Sequence, residues 1–141
     1  RVERLLRLDE GTGAARLEIW AAAARALRGS PLLGLGLDQF AHAAPQLRFL
    51  TISHPHNLVL DAWTQLGLAG LLALAGWTLW AAWRLWRARA NPLALAALAA
   101  LVALSVHGML DQTMLGGDLI YCWWLLWMLA GSLRPGEGGS V

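Results

Sequence analysis

The residues best suited to chemistry are Ser53-His54-Pro55-His56-Asn57, where two imidazoles and an amide stand at the edge of a long apolar stretch. His54 precedes Pro55, which pushes its backbone out of the helical region. Pro55 suits the first turn of a helix, where a missing N–H costs nothing. The expectation is therefore a helix starting here, capped by Ser53 or His54, with His56 and Asn57 in its first turn. Helix N-termini attract anions through free N–H groups and the helix dipole. The same dipole disfavours imidazolium, which would leave an uncharged ring to act as a base or an N–H donor. His56, Leu60 and Trp63 share one face of such a helix, and Asn57, Asp61 and Gln65 roughly share another. That helix would enter an apolar phase with a polar side, and intramembrane polar groups usually face a protein interior or a wet cavity.

Other polar residues could join them. Arg16 lies four residues before Trp20, so the two neighbour each other on a helix. His107 and Asp111 have the same spacing and could pair on one face, or merely plug a polar gap between helices. A metal site drawing on His54, His56, His107 and Asp111 is conceivable, but the spacing fits no zinc pattern well. No metal and no cofactor is expected. Cys122 is single, so it forms no intrachain disulfide and no CxxC pattern, and reads as a small core residue.

The elements that must position these groups are membrane-like. The 141-residue chain is 57% hydrophobic with 14% charged residues and a mean hydropathy of +0.49. A soluble domain carries about 25% charge. No ionisable side chain lies between Leu66 and Trp83, or between Pro92 and Val106. Runs of this kind mark candidate spans: residues 66–86, 92–110 and 119–133, the last at the short end for crossing even when extended back to Gly117. The fold class expected is all-α, a multi-pass transmembrane helical protein of about three spans. Gly67 and Gly70 offer a small-residue face for close helix contact. Trp77, Trp80, Trp83 and Trp86 form a stripe that suits an interfacial belt.

All eleven basic residues are arginine. Arg84, Arg87 and Arg89 crowd the link between the first two spans and Arg134 follows the third, so both sites are expected in the cytoplasm. Residues 1–57 then form an extracytoplasmic loop with amphipathic helices, residues 58–134 the transmembrane helices, and residues 135–141 a disordered cytoplasmic tail. In the loop, Arg1 to Leu8 reads as an interfacial helix. Residues 14–28 read as a second helix, capped by Thr12 or Gly13, with Leu17, Trp20, Ala24 and Leu27 as its stripe. Gly29-Ser30-Pro31 ends it. Asp38 could cap a short helix towards Ala44. A net charge of +2 is too small and dispersed for nucleic acid.

Taken together, these pieces resemble the O-antigen ligase and polymerase superfamily. The resemblance rests on Arg16-Leu17-Glu18-Ile19-Trp20, then Ser30-Pro31-Leu32-Leu33-Gly34-Leu35-Gly36 with Phe40. It continues through His54-Pro55-His56-Asn57-Leu58 and Gln65-Leu66-Gly67-Leu68-Ala69-Gly70. The family pattern is R-x-x-x-W, P-x-x-G-x-G-x-x-x-F, and H-N followed by nine residues and G-x-x-G. His107-Gly108-Met109-Leu110-Asp111 resembles the family's downstream span. The position two before the first glycine of G-x-x-G is often Glu in the family and is Gln65 here.

The resemblance implies a multi-span glycosyltransferase of the bacterial inner membrane, active on the periplasmic face. It would move a glycan from undecaprenyl pyrophosphate to lipid A core, to another lipid-linked glycan, or to a protein. The partners implied are that lipid-linked glycan, its glycan, lipid or protein acceptor, and the lipid bilayer. The family's histidine maps to His56 and a loop arginine to Arg16. Asn57, His54, Trp20, His107 and Asp111 are then the candidate substrate-binding residues. An arginine offers a planar, always-charged fork for a departing pyrophosphate. His56 could deprotonate the acceptor hydroxyl or orient a phosphate. A further family arginine is expected on an earlier loop, so the chain reads as the C-terminal part of a longer protein. The alternative is a non-enzymatic transport or assembly subunit of polysaccharide export, which would show polar or interrupted positions within several spans.

Overall fold

The computed structural model describes residues 12–45, 53–111, 113–115 and 117–133. All regular secondary structure among these is helical. In chain order the helices are α1 (Thr12–Leu27), α2 (Phe40–Ala43), α3 (Leu58–Arg87), α4 (Pro92–Gly108) and α5 (Leu119–Ser132). The expected interfacial helix at the start, Arg134 and the tail lie outside the described residues. The chain divides into two compact units, Arg1–Leu71 and Leu72–Val141.

In the first unit, α1 forms because an alanine-rich run carries no breaker until Gly29. Its buried face is not the stripe expected from spacing. Ile19, Ala22, Ala23 and Leu27 are buried, while Leu17 and Ala24 are exposed. Small alanines let the chain approach closely, and Phe40 and Ala44 pack there with Trp20, Leu35 and Leu60 around them. The short α2 is flanked by Gln39, which makes no side-chain cap, rather than by Asp38. Asp38 itself sits at φ 56°.

Helix α3 is 30 residues long and is interrupted at Gly67, whose φ of 71° and ψ of −176° are not helical. The cause is an insertion. A helix would join Leu68 N–H to the carbonyl of Thr64. Instead Leu68 N donates to Leu32 O at 3.0 Å, and Thr64 O accepts from Leu35 N at 2.6 Å. The loop after α1 has entered the ladder of α3 and satisfied both groups that the break would orphan. Only glycines allow this approach. A Cβ on Gly34 would lie 2.6 Å from Trp63 O and 2.7 Å from Thr64 O, and one on Gly67 would meet Leu32 O and Leu33 C. Both glycines also have φ of 71°, a region that favours glycine.

In the second unit, α4 starts as its sequence predicts. Asn91 Oδ1 accepts from Leu93 N at 2.9 Å and Pro92 occupies the first turn. It buries Ala94, Ala97, Leu101 and Gly108. Helix α5 buries Trp123, Leu126, Trp127 and Ala130. Cys122 is exposed, contrary to the core position expected for it. Trp127 is the hub of an aromatic cluster, with ring centroids 5.9 Å from Trp77 and Trp123 and 5.3 Å from Trp124. Arg84 holds the end of α5: its guanidinium donates to the carbonyls of Ala130, Gly131 and Leu133 at 3.1, 3.3 and 3.1 Å. These are carbonyls that a helix leaves unpaired at its C-terminus.

Among the described residues, α3 alone is long and apolar enough to cross a membrane. Only 28% of its most apolar stretch is buried, so it is not a sequestered core helix. Helices α4 and α5 are apolar but have 17 and 14 residues. A bilayer core needs about 20. The expectation of about three spans thus narrows to one qualifying helix and two shorter apolar ones.

Candidate functional site

The His-Pro-His turn is built before α3, not inside it. The helix begins at Leu58, later than Pro55 suggests. Asn57 is the residue that caps it, since its Oδ1 accepts from both Val59 N and Leu60 N at 3.1 Å. Pro55 serves as a buried plug rather than as a first-turn residue. His56 has a φ of 50°, a left-handed conformation that a non-glycine residue holds at some cost. Such residues cluster where function demands a set geometry.

Three contacts fix this turn. Trp20 Nε1 on α1 donates to Pro55 O at 3.1 Å. His56 N donates to His54 Nδ1 at 3.3 Å. The two imidazoles lie 4.1 Å apart between ring centroids, tilted by 51°. Because His54 Nδ1 accepts, its ring proton in the neutral form belongs on Nε2. Arg16 stands one turn before Trp20 on α1, half-buried. Within the first unit, Trp20, His54, His56 and Asn57 are therefore joined, and Arg16 lies on the helix that joins them.

Below the turn runs a polar seam, which the spacing reveals only as a shared face. Asp61 and Gln65 are buried, and Gln65 Nε2 donates to Asp61 Oδ1 at 2.8 Å. Thr64 Oγ1 donates to Asp61 O at 3.1 Å. Gln65 Oε1 lies 3.5 Å from Asp38 N, at the limit of a hydrogen bond. An amide at position 65 can donate to Asp61 while accepting from the loop; an ionised glutamate could only accept. This gives a physical reason for Gln65 in this chain. Asp61 is the polar residue whose importance the spacing does not reveal: a carboxylate buried one turn into α3.

His107 and Asp111 belong to the second unit. Helix α4 ends at Gly108, with Met109 as its C-cap, so Asp111 lies past the helix. The two therefore do not share one helical face, because the helix stops one residue after His107. His107 is exposed. Among the described residues, the arginines used to orient the chain are engaged locally: Arg84 as described, Arg87 over the Trp83 ring at 5.6 Å and Arg89 over Trp86 at 4.7 Å.

The sequence model of the O-antigen ligase family matches residues 1–75, more than half of the chain. The chain belongs to the O-antigen ligase family. The matched segment contains α1, the glycine loop, the His-Pro-His turn and the break at Gly67. It stops short of His107 and Asp111. No curated protein and no solved structure matches the chain. Membership of this family assigns the chain to a membrane-associated group with a role in surface glycan assembly and a glycosyltransferase-like activity.

Proposed function

We propose that this O-antigen ligase family member is a multi-pass inner-membrane glycosyltransferase acting at the periplasmic face. The donor is a glycan on undecaprenyl pyrophosphate, and the acceptor is lipid A core, another lipid-linked glycan or a protein. The observation that carries this reading is the His54–Asn57 turn. It holds His56 in a left-handed conformation directly before the cap of the apolar helix α3, and Trp20 ties it to the helix bearing Arg16.

Transfer breaks the bond between the sugar's anomeric carbon and the pyrophosphate oxygen, and the acceptor oxygen forms the new one. The leaving group gains negative charge, which Arg16 neutralises with a guanidinium that never deprotonates. Fixed charge of this kind stabilises a developing anion, and the reaction is proposed to need no metal. His56 takes the acceptor proton, or it orients a phosphate oxygen while the departing pyrophosphate takes that proton, and Asn57 holds the turn. His54 and Trp20 shape the donor side, and His107 and Asp111 are further proposed substrate-binding residues. Helices α4 and α5 complete the membrane part.

The experiment is glycan transfer in the full-length protein carrying Arg16→Ala or His56→Ala. Each is expected to lose about 10²- to 10⁴-fold in rate, the range for a general base or a charge stabiliser. Wild-type rates in both would end the proposal.

A further inference from the structure

The loop that enters α3 presents an apolar face that its own unit does not cover. Leu32, Leu33 and Leu37 are 66, 83 and 64% exposed, while Leu35 between them packs inward. From Ser30 to Gln39 the one ionisable side chain is Asp38. An exposed leucine alone says little. Three fall within six residues of one loop, and Leu66 of α3, two residues before the Leu68 that bonds Leu32, is exposed as well.

Two observations say what covers it. First, the loop is fixed in height against α3. Its bonds to Thr64 and Leu68 place Leu32 to Leu35 at the level where the apolar run of α3 begins, at Leu66 just after Gln65. Second, the loop ties part of its backbone polarity into the protein. Pro31 has no N–H, and its carbonyl accepts from Trp63 Nε1 at 2.6 Å. Gly34 N donates to Ser30 O at 2.9 Å, and Leu35 N and Leu32 O are spent on α3. Irregular backbone survives at hydrocarbon depth only where such groups are satisfied by protein, so a loop satisfied in part keeps its backbone at the boundary and sends its side chains inward. Trp63, with an apolar ring and one N–H anchored to the loop, suits the boundary between headgroups and acyl chains.

We propose that residues 31–37 dip into the bilayer leaflet that α3 enters, with Leu32, Leu33 and Leu37 among the acyl chains. The inference rests on the reading of α3 as a membrane span. The loop then does two things. It breaks α3 at Gly67, and it seats the His-Pro-His turn at a set depth over the lipid surface.

The test is spin-label depth measurement on the full chain, reconstituted in phosphatidylethanolamine–phosphatidylglycerol vesicles. Labels go on Leu33→Cys, Leu37→Cys and, as a span control, Leu72→Cys, each with the exposed Cys122 changed to Ala. All three labelled positions are exposed on the protein, so the label displaces no packing. Relaxation by oxygen is expected to exceed relaxation by a water-soluble nickel chelate at 33 and 37, as at 72. Nickel dominance at 33 and 37 with oxygen dominance at 72 overturns the loop's insertion and leaves the span intact. Nickel dominance at all three overturns both. Shielding of 33 and 37 from both reagents also overturns it, and assigns the patch to a protein partner.

Discussion

The two units of the chain hold their parts together by different means. In the first, backbone meets backbone: two glycines, two hydrogen bonds into a helix ladder and an asparagine cap set the geometry. In the second, rings meet rings and one arginine collects the loose carbonyls of α5. The indole N–H groups of Trp123 and Trp127 are buried there with no acceptor among the described residues. Packing has outweighed polar satisfaction in that unit. Backbone interlocks tolerate almost no added atoms, whereas aromatic clusters give way by small ring shifts. The residues proposed for chemistry lie mainly where the tolerance is least, as preorganised charge requires.

The strongest way to break this comparison is to add one methyl group to each region. Gly34→Ala or Gly67→Ala drives a Cβ against backbone atoms and forces an L-residue into φ of 71°. A loss of about 3 kcal/mol or more is expected from the combined clash and strain, seen as a lowered unfolding midpoint in detergent and as lost glycan transfer. Gly76→Ala on α3, in the second unit, meets nothing within 4 Å. It is expected to be neutral or to stabilise by up to about 1 kcal/mol, because alanine is the better helix former. Equal effects at the three positions would dissolve the contrast.

Arg84→Ala asks whether the second unit has a polar point of failure after all. Three carbonyls at the end of α5 lose their donor. About 1.5–3 kcal/mol is at stake if these charge-assisted bonds behave as others do. Arg84→Lys is expected to recover only part, since an ammonium cannot spread over three acceptors with the same planar fork. A midpoint unchanged by Arg84→Ala would show that the tryptophan cluster holds α5 unaided.

Asn57 sharpens the other side. Its cap on Val59 and Leu60 is worth about 1 kcal/mol, so Asn57→Ala is expected to lower stability by that amount. Asn57→Asp keeps the cap, because aspartate accepts as well. Beside a pyrophosphate, however, it adds a like charge. The expected result is near-normal stability with reduced transfer. Transfer at the wild-type rate would place the anion away from this helix start.

Much of the second unit is legible in local signals. Asn91-Pro92 announces the start of α4 through its own side chain and ring, and in the first unit Gly29-Ser30 stops α1 in the same way. These signals act within a few residues. What the sequence hides acts at longer range. The break at Gly67 depends on Leu32 and Leu35, more than thirty residues earlier in sequence, so no window around Gly67 contains its cause. The buried face of α1 is ambiguous in sequence because alanines mark both candidate stripes, and Phe40 decides between them. The turn shows its residues but not its shape: His-Pro promises a helix start, yet Trp20 and Asn57 claim the positions on either side of His56. Family resemblance locates the histidine; only the fold shows that its backbone is left-handed.

That last feature yields the smallest and most discriminating prediction. A non-glycine residue at φ of 50° costs on the order of 1 kcal/mol, which glycine would not incur. His56→Gly relieves the strain but frees the unfolded chain, and the two effects nearly cancel. Its unfolding midpoint is therefore expected to stay level with wild type or rise slightly, while transfer falls as far as in His56→Ala. If the imidazole served only to pack the turn, through its ring contact with His54, the glycine variant would instead lose stability and activity together. A stable and inactive His56→Gly protein separates the two roles, because strain kept at one residue without benefit to folding is retained for what its side chain does to substrate.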